Sequence, residues 1–503
     1  MAWRPDILLD NPILVKHVRA RLRRKSLLPA VTIVLILCVC ILWLGQTRVV
    51  GAGVPVSLMI GLQVVVLTFI GAGQVGATMT KARESGIIDF HRVSPLPSNW
   101  MVMGFLIGPP ILEYALLAVS LPFAYWLALD SLTGIVRYVQ LLVALILISW
   151  VVHSLVLLSS LTTKKPKSSQ RGAATVIVLL ALFLGQPIAM GIWFATRSLA
   201  DAPAMPFFGI GMHWLLFVML YSISVIAMLL VAATRKIRSE RMHAYSKPLA
   251  IGCHLLITFL TLGAVWHSQW IGVSVGVLYV LVMAAVILTA TITPDRGEYV
   301  KGLRRAERIG KKLPSPWSDA GVIRLPLFVL CGIVFVAATL ILRLSSDDAL
   351  LAARGSLAIA VGVFAVAYFG LGLQYFLLRI PKAGMTVMSL FIFIVWLVPP
   401  LIGSILAAAK MPPEWYLSIS AVSPLVGVAV SSGLIEMPVV ESARLAALMP
   451  AIFFAVVFNV LVVATRRKID LVVRSSQPKA SEPGVFKEAA PIRRPSVEEA
   501  SQM

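Results

Sequence analysis

Glu113 stands inside an apolar run, three residues after the pair Pro109-Pro110. A carboxylate is costly in hydrocarbon, and two prolines remove backbone donors and leave carbonyls free nearby. The combination reads as a substrate, proton or cation site. It reads equally well as a protonated Glu hydrogen-bonded within a bundle. His153 and His254 also lie within apolar runs. For each, a hydrogen bond between helices is the simpler account. Pro109 and Pro110 are the natural hinge of the run that holds them.

A second set of residues sits in polar sequence, between Lys81 and Ser98. Arg83, Glu84, Gly86, Asp89, Phe90, Ser94 and Pro95 all fall there. Ile87, Phe90 and Val93 recur every third residue, so a short helix with one apolar side is expected, ended by Pro95. Such a helix can dock into a groove on a partner protein. The plain alternative is a solvated loop.

Chemistry of other kinds has little to work with. No nucleophile elbow, catalytic carboxylate pair or His-x-x-x-His spacing occurs. Gly310-Lys311 is followed by Lys312, and Arg305 stands where a Walker A loop needs its first Gly. Cys38, Cys40, Cys253 and Cys331 all fall in apolar runs, as small filler rather than ligands. No catalytic residue, metal or cofactor is expected in this chain.

The elements that must position these residues follow from composition. Of 503 residues, 59% are hydrophobic and 13% are charged. A soluble domain has about 25% charged residues. Apolar runs of ~18 or more recur, the length of a membrane-spanning helix. The expected fold is therefore all-α, a polytopic helical bundle of about twelve spans. They are read at 27–45, 54–77, 101–129, 139–162, 173–196, 213–233, 248–266, 271–292, 325–342, 356–378, 385–408 and 445–464. Segment 409–444 reads as a re-entrant or interfacial stretch outside the membrane core.

The formal charge is +22. If residues 1–26 lie inside and the spans alternate, thirty-seven of the 44 Lys and Arg fall on the inner side. That bias implies cytoplasmic termini in a plasma or inner membrane, and anionic lipids rather than nucleic acid as the partner of the charge. The chain then divides into an amphipathic helix within 1–26 and a first membrane region 27–292 of about eight spans. A basic loop, 293–324, carries a short helix at the membrane surface. A second membrane region of about four spans, 325–464, precedes a largely disordered tail, 465–503. Asn11 suits an N-cap and Pro12 a first helical position. A six-plus-six duplication is open, with Val398-Pro399-Pro400 loosely matching Gly108-Pro109-Pro110.

The segment Arg83-Glu84-Ser85-Gly86, with Asp89 and Ser94-Pro95-Leu96, resembles the first intracellular loop of ABC-2 type permeases, the membrane subunits of ATP-driven exporters. That loop commonly reads Glu-Arg-Glu-x-Gly-Thr-Leu-Asp/Glu and, a few residues on, Thr/Ser-Pro-Leu/Val. Here Ala82 replaces the first acidic residue and Ile87-Ile88 replace Thr-Leu. The basic start after Asn11-Pro12-Ile13-Leu14 is similar to the family's N-terminal elbow helix. The resemblance covers about forty residues. It implies a permease that couples through Arg83, Glu84, Gly86, Asp89, Phe90, Ser94 and Pro95 to a separate ABC ATPase subunit, which carries the ATP. Members usually have six spans, so twelve implies a fused pair or an enlarged branch. A homodimer or a second permease subunit stays open. If the chain is a fused pair, its second half offers only the loop from Arg379 to Gly384 in place of the motif. Two other function classes compete: an ion-coupled carrier using Glu113, and a membrane-embedded enzyme of lipid or glycan chemistry.

Overall fold

The computed structural model describes residues 11–47, 53–94, 96–129, 134–162, 205–240, 242–265, 271–345, 349–432 and 440–475. It is an all-α polytopic bundle. Ten described helices are long and apolar enough to cross a bilayer, and an eleventh counts if the bent pair Gly276–Ile292 and Arg296–Arg308 is one span. The expected span 173–196 and the tail beyond Ser475 lie outside the described residues.

The chain starts with α1 (Pro12–Arg21), capped by Asn11, whose side chain accepts from the Ile13 and Leu14 amides. Then come α2 (Arg24–Gln46) and α3 (Gly53–Glu84). At 1.5 Å per residue, the 32 residues of α3 reach about 48 Å, well past a hydrocarbon core of about 30 Å. The surplus carries α4 (Ile87–Val93) beyond the apolar stretch. The third expected span is two helices, α5 (Ser98–Ile107) and α6 (Ile111–Leu129), broken at Gly108-Pro109-Pro110. Next are α7 (Gly134–Thr162), a small antiparallel hairpin of β1 (Met205–Phe207) and β2 (Ile210–Met212), and α8 (Trp214–Arg238).

The second half runs α9 (Lys247–Val265), α10 (Ile271–Ile292), α11 (Arg296–Arg308), α12 (Arg324–Ser345), α13 (Ala349–Arg379) and α14 (Gly384–Ala408). Two nine-residue helices follow, α15 (Pro413–Ala421) and α16 (Pro424–Ser432). Each is about 14 Å long, too short to cross. They pack against α13, α14 and the last helix, α17 (Val440–Ser475), as a re-entrant pair does. Residues 465–475 continue α17 rather than starting the tail, because apolar Ile469 and Val473 are buried against α11.

The basic helix expected within 293–324 is α11, with a capping box between Asp295 and Glu298. Its apolar face is not left for lipid. Tyr299 and Leu303 pack on Leu378, Ile469 and Val473. Gln374 pins both ends of the loop by donating to the Pro294 carbonyl and accepting from the Ile323 amide, each at 3.2 Å.

Residues 235–240 and 242–247 join the two halves on the side that carries α4 and α11. Arg83 pairs with Glu240 at 3.1 Å and Arg235 with Asp319 at 3.7 Å. His243 Nε2 lies 3.0 Å from Glu298 Oε2. Burial works against the Glu298 carboxylate, but the His243 ring holds it below the ordinary carboxylate range on balance. Lys247 Nζ, fully buried, donates to the carbonyls of Pro316, Ser318 and Gly321 at 3.0, 2.7 and 2.5 Å. A buried ammonium is tolerated when its donors are matched in this way.

Candidate functional site: a seated helix between the second and third spans

Gly86 takes a φ of 69°, a left-handed conformation that ends α3 and turns the chain into α4. Ser94 then leaves α4 in extended backbone, its hydroxyl donating to the His91 carbonyl at 2.7 Å. Pro95 lies outside the described residues.

The seven residues of α4 have two faces. Ile88 is buried at 3% exposure, while Phe90 and Val93 are 69% and 84% exposed. The side expected to be apolar, Ile87, Phe90 and Val93, is therefore not the one that is seated, since Ile87 is half-buried and the other two are exposed. Ile88 turns inward and Phe90 and Val93 turn outward, because a helix of two turns can seat only one side on its neighbours. Glu84 and Asp89 are exposed beside Phe90.

Arg92 fixes the inner side, though its type and spacing gave it no weight in the sequence. Its Nε donates to the Ile237 carbonyl at 2.7 Å, and Nη1 bonds Asp89 at 2.5 Å. The i,i+3 spacing of Asp89 and Arg92 is the signal that could have found it. Arg83 Nη1 donates to the Ser160 carbonyl at 2.6 Å, so α4 and the end of α3 are tied to both α7 and α8. A cleft of about 130 Å³ remains between them, lined by Arg83, Ile88, Asp89, Arg92, Lys236 and Glu240.

The N-terminal helix belongs to the same assembly. Asn11 Nδ2 donates to the Trp100 carbonyl at 2.8 Å, and Ile13 is buried. His17 lies against Phe105, with ring centroids 6.3 Å apart. Burial, with Lys16 and Arg21 beside it, lowers the His17 imidazole to about 4. Burial and the Lys16 charge also hold His91 on α4 below its ordinary value.

Glu113 opens α6 just beyond the break. It is 2% exposed, and its Oε2 has no hydrogen-bond partner. The charge of Arg21 acts on it from the end of α1, where Arg21 also bonds Gln74 of α3. His153 is close by. Its Nε2 is 2.9 Å from the Leu67 carbonyl, inside a π-helical turn of α3 (Val65–Ile70). Such a turn loosens the carbonyl ladder, and the imidazole takes up what it frees. Gly71 lets this happen. A Cβ there would lie 2.7 Å from His153 Nε2 and 3.4 Å from Pro110. Pro110 and His153 therefore pack against the same glycine, with Glu113 three residues further along the chain. His254 does not join them. It sits fully buried on α9, which packs on α10 and α12, and neither ring nitrogen has a partner. The interhelical hydrogen bond expected for it is not made.

Among the described residues, no three His, Cys, Asp or Glu side chains converge as metal ligands. No protein-family model, curated protein or solved structure matches the chain.

Proposed function

We propose that this chain is the membrane permease of an ATP-driven exporter, moved through α4 by a separate ATPase subunit on the cytoplasmic face. The observation that carries the reading is the exposed pair Phe90 and Val93 on a helix whose other side is bonded to α8. Charged residues flank that pair on both sides, so it faces water rather than lipid. Burying one such side chain is worth about 1.5–3 kcal/mol, which a partner groove recovers. The rigid seat matters as much as the exposed pair. A push on α4 reaches α8 through Arg92 and α5 through the short link from Ser94 to Ser98. The break at Gly108–Pro110 then lets α6 tilt against α5.

A photo-crosslinking residue in place of Phe90, in the full chain in its native cells, tests this. The expected product is a covalent adduct with a polypeptide that binds ATP, weakened by Val93→Asp. The absence of any ATP-binding adduct from that position would overturn it.

One observation favours an ion-coupled carrier instead, the unpartnered Oε2 of Glu113 beside a helix break. That reading requires Glu113→Gln to abolish transport, and collapse of the ion gradient to do the same while ATP remains.

A further inference from the structure

One seam of the first half holds more acceptors than donors. It lies between α3, α6 and α7, which pack on one another. At its far end from α1, Gln63 Nε2 donates to the Ser120 hydroxyl at 3.0 Å and to the Tyr138 hydroxyl at 2.8 Å. Ser120 spends its own proton on the Leu117 carbonyl at 2.7 Å. Gln63 must therefore turn its nitrogen to Ser120, which leaves Oε1 without a donor among the described residues. In the middle, the Thr68 and Ser149 hydroxyls meet at 2.6 Å. One turn further along α7, His153 Nε2 faces the Leu67 carbonyl at 2.9 Å. A carbonyl only accepts, so Nε2 carries the ring proton and Nδ1 is a bare lone pair, again without a partner. Glu113 Oε2 is the third such atom.

Helical spacing puts these atoms on one seam. Ser149 and His153 are four apart on α7, and Glu113 and Ser120 are seven apart on α6, so each pair shares a face. Gly71 of α3 meets both His153 and Pro110, about one helical turn from Glu113. Gln63, Glu113 and His153 are 2%, 2% and 0% exposed. The end nearest α1 carries the charges. Arg21 acts on Glu113 and bonds Gln74, and His17 packs on Gly108. Tyr114, beside Glu113, is held by Trp150 Nε1 at 2.9 Å. From Gln63 to Gln74 the seam runs about 16 Å along α3. Its middle is the π-helical turn Val65–Ile70, a distortion frequent at functional sites.

Buried acceptors short of donors suit a ligand that brings a donor and takes up almost no space. A proton meets both conditions. We propose that Glu113 and His153 form a proton-binding site, entered from the end that carries Arg21. A proton joins Glu113 Oε2, and the carboxylate becomes a neutral acid with an O–H to donate. Passed on to His153 Nδ1, the same proton leaves Glu113 a carboxylate again and makes the ring an imidazolium. The Nε2–H keeps the Leu67 carbonyl throughout. Glu and His side chains facing a bundle interior are the material of proton relays. Glu113 lies just past the break at Gly108–Pro110, so a tilt of α6 against α5 moves the site with it. The inference goes beyond the permease reading of α4 and needs no ATPase. It also names the ion that the carrier reading of Glu113 requires.

The test titrates the full chain in lipid nanodiscs from about pH 9 to about pH 4, followed by infrared difference spectroscopy. A carbonyl stretch of a protonated carboxylic acid is expected that Glu113→Gln removes. His153→Asn moves the midpoint of that band by about one pH unit, because two sites that share a proton titrate together. In the unaltered chain, which needs no variant to fold, nitrogen-15 spectra show one imidazole changing at the same midpoint. A spectrum unchanged by Glu113→Gln overturns the inference. So does a Glu113 band indifferent to His153→Asn, the outcome if both residues only tie helices together. A band displaced by about 0.1 M sodium at fixed pH overturns it too, since a metal cation then competes for the carboxylate, and leaves the carrier reading standing. The expected titration, with transport that survives collapse of the pH gradient while ATP remains, upholds the proton site and removes the carrier reading instead.

Discussion

Arg92 Nε bonds the Ile237 carbonyl across 145 residues, at 2.7 Å, and so fixes a seven-residue helix to the far end of the sixth expected span. The bond takes a carbonyl from the last turn of α8, where no intrahelical donor is available. Arg92→Ala removes it together with the Asp89 contact. The expected cost is about 1 kcal/mol in stability and, on the proposed permease reading, a larger loss of coupled activity. Thermal unfolding in detergent reads the first. ATP hydrolysis by the reconstituted complex reads the second, and Arg92→Lys restores only part of it, having no guanidinium fork.

Gly86→Ala forces a side chain into a φ of 69° with open space around it. Strain is then the only penalty, about 1–2 kcal/mol, and Gly86→Asn should suffer less. The effect is confined to the joint between α3 and α4, so hydrogen exchange should rise in residues 84–94 and nowhere else.

Gly71→Ala places a methyl 2.7 Å from His153 Nε2. The imidazole must leave the Leu67 carbonyl or the helices must part. An overpacking cost of about 1–3 kcal/mol is expected, read as a lower unfolding midpoint. His153→Ala combined with it should recover part of the loss, because the clash disappears with the ring.

The seat of α1 should depend on pH. His17 is held at about 4 in the folded chain against 6.5 for a free imidazole. Between those values the unfolded chain binds the extra proton, so stability is full above about 6.5 and falls as pH drops towards 4. His91, shifted the same way by burial, adds to the trend. The protection of residues 12–21 against hydrogen exchange, taken relative to the intrinsic rate at each pH, should be lower at pH 5 than at pH 7, and His17→Phe should flatten the difference.

Lys247→Met leaves three carbonyls without their donor in a buried pocket. A cost of about 1–3 kcal/mol is expected, with residues 309–323 becoming accessible to protease while the spans persist.

Much of this was legible in the residues. Apolar runs place most ends of the described long helices within a few positions, but α3, α13 and α17 run 7, 7 and 11 residues past the expected limits at one end. Asn11-Pro12 marks the start of α1, and Pro109-Pro110 the break between α5 and α6. What failed did so for physical reasons. In α4 Ile87, Phe90 and Val93 share one side and Ile88 stands on the other, so the three-residue repeat favoured the wrong side for burial. The face of α11 formed by Tyr299, Leu303 and Ala306 would suit a bilayer surface as well as a neighbouring helix. Only the added length of α17 decides between them. The carbonyl cage around Lys247 is made by backbone atoms some seventy residues away, which no side-chain pattern reveals.

Residues 235–240 and 242–247 hold the end of α4 in one half and the base of α11 in the other. They form a crossbar between the two halves. If one side of the molecule rocks, the strut must either drag its opposite number along or shear the Arg235–Asp319 and Arg83–Glu240 links, the outermost and most easily hydrated of its ties. On the proposed reading, synchrony between the halves rests on four side chains at the junction of α8 and α9, Arg235, Glu240, His243 and Lys247.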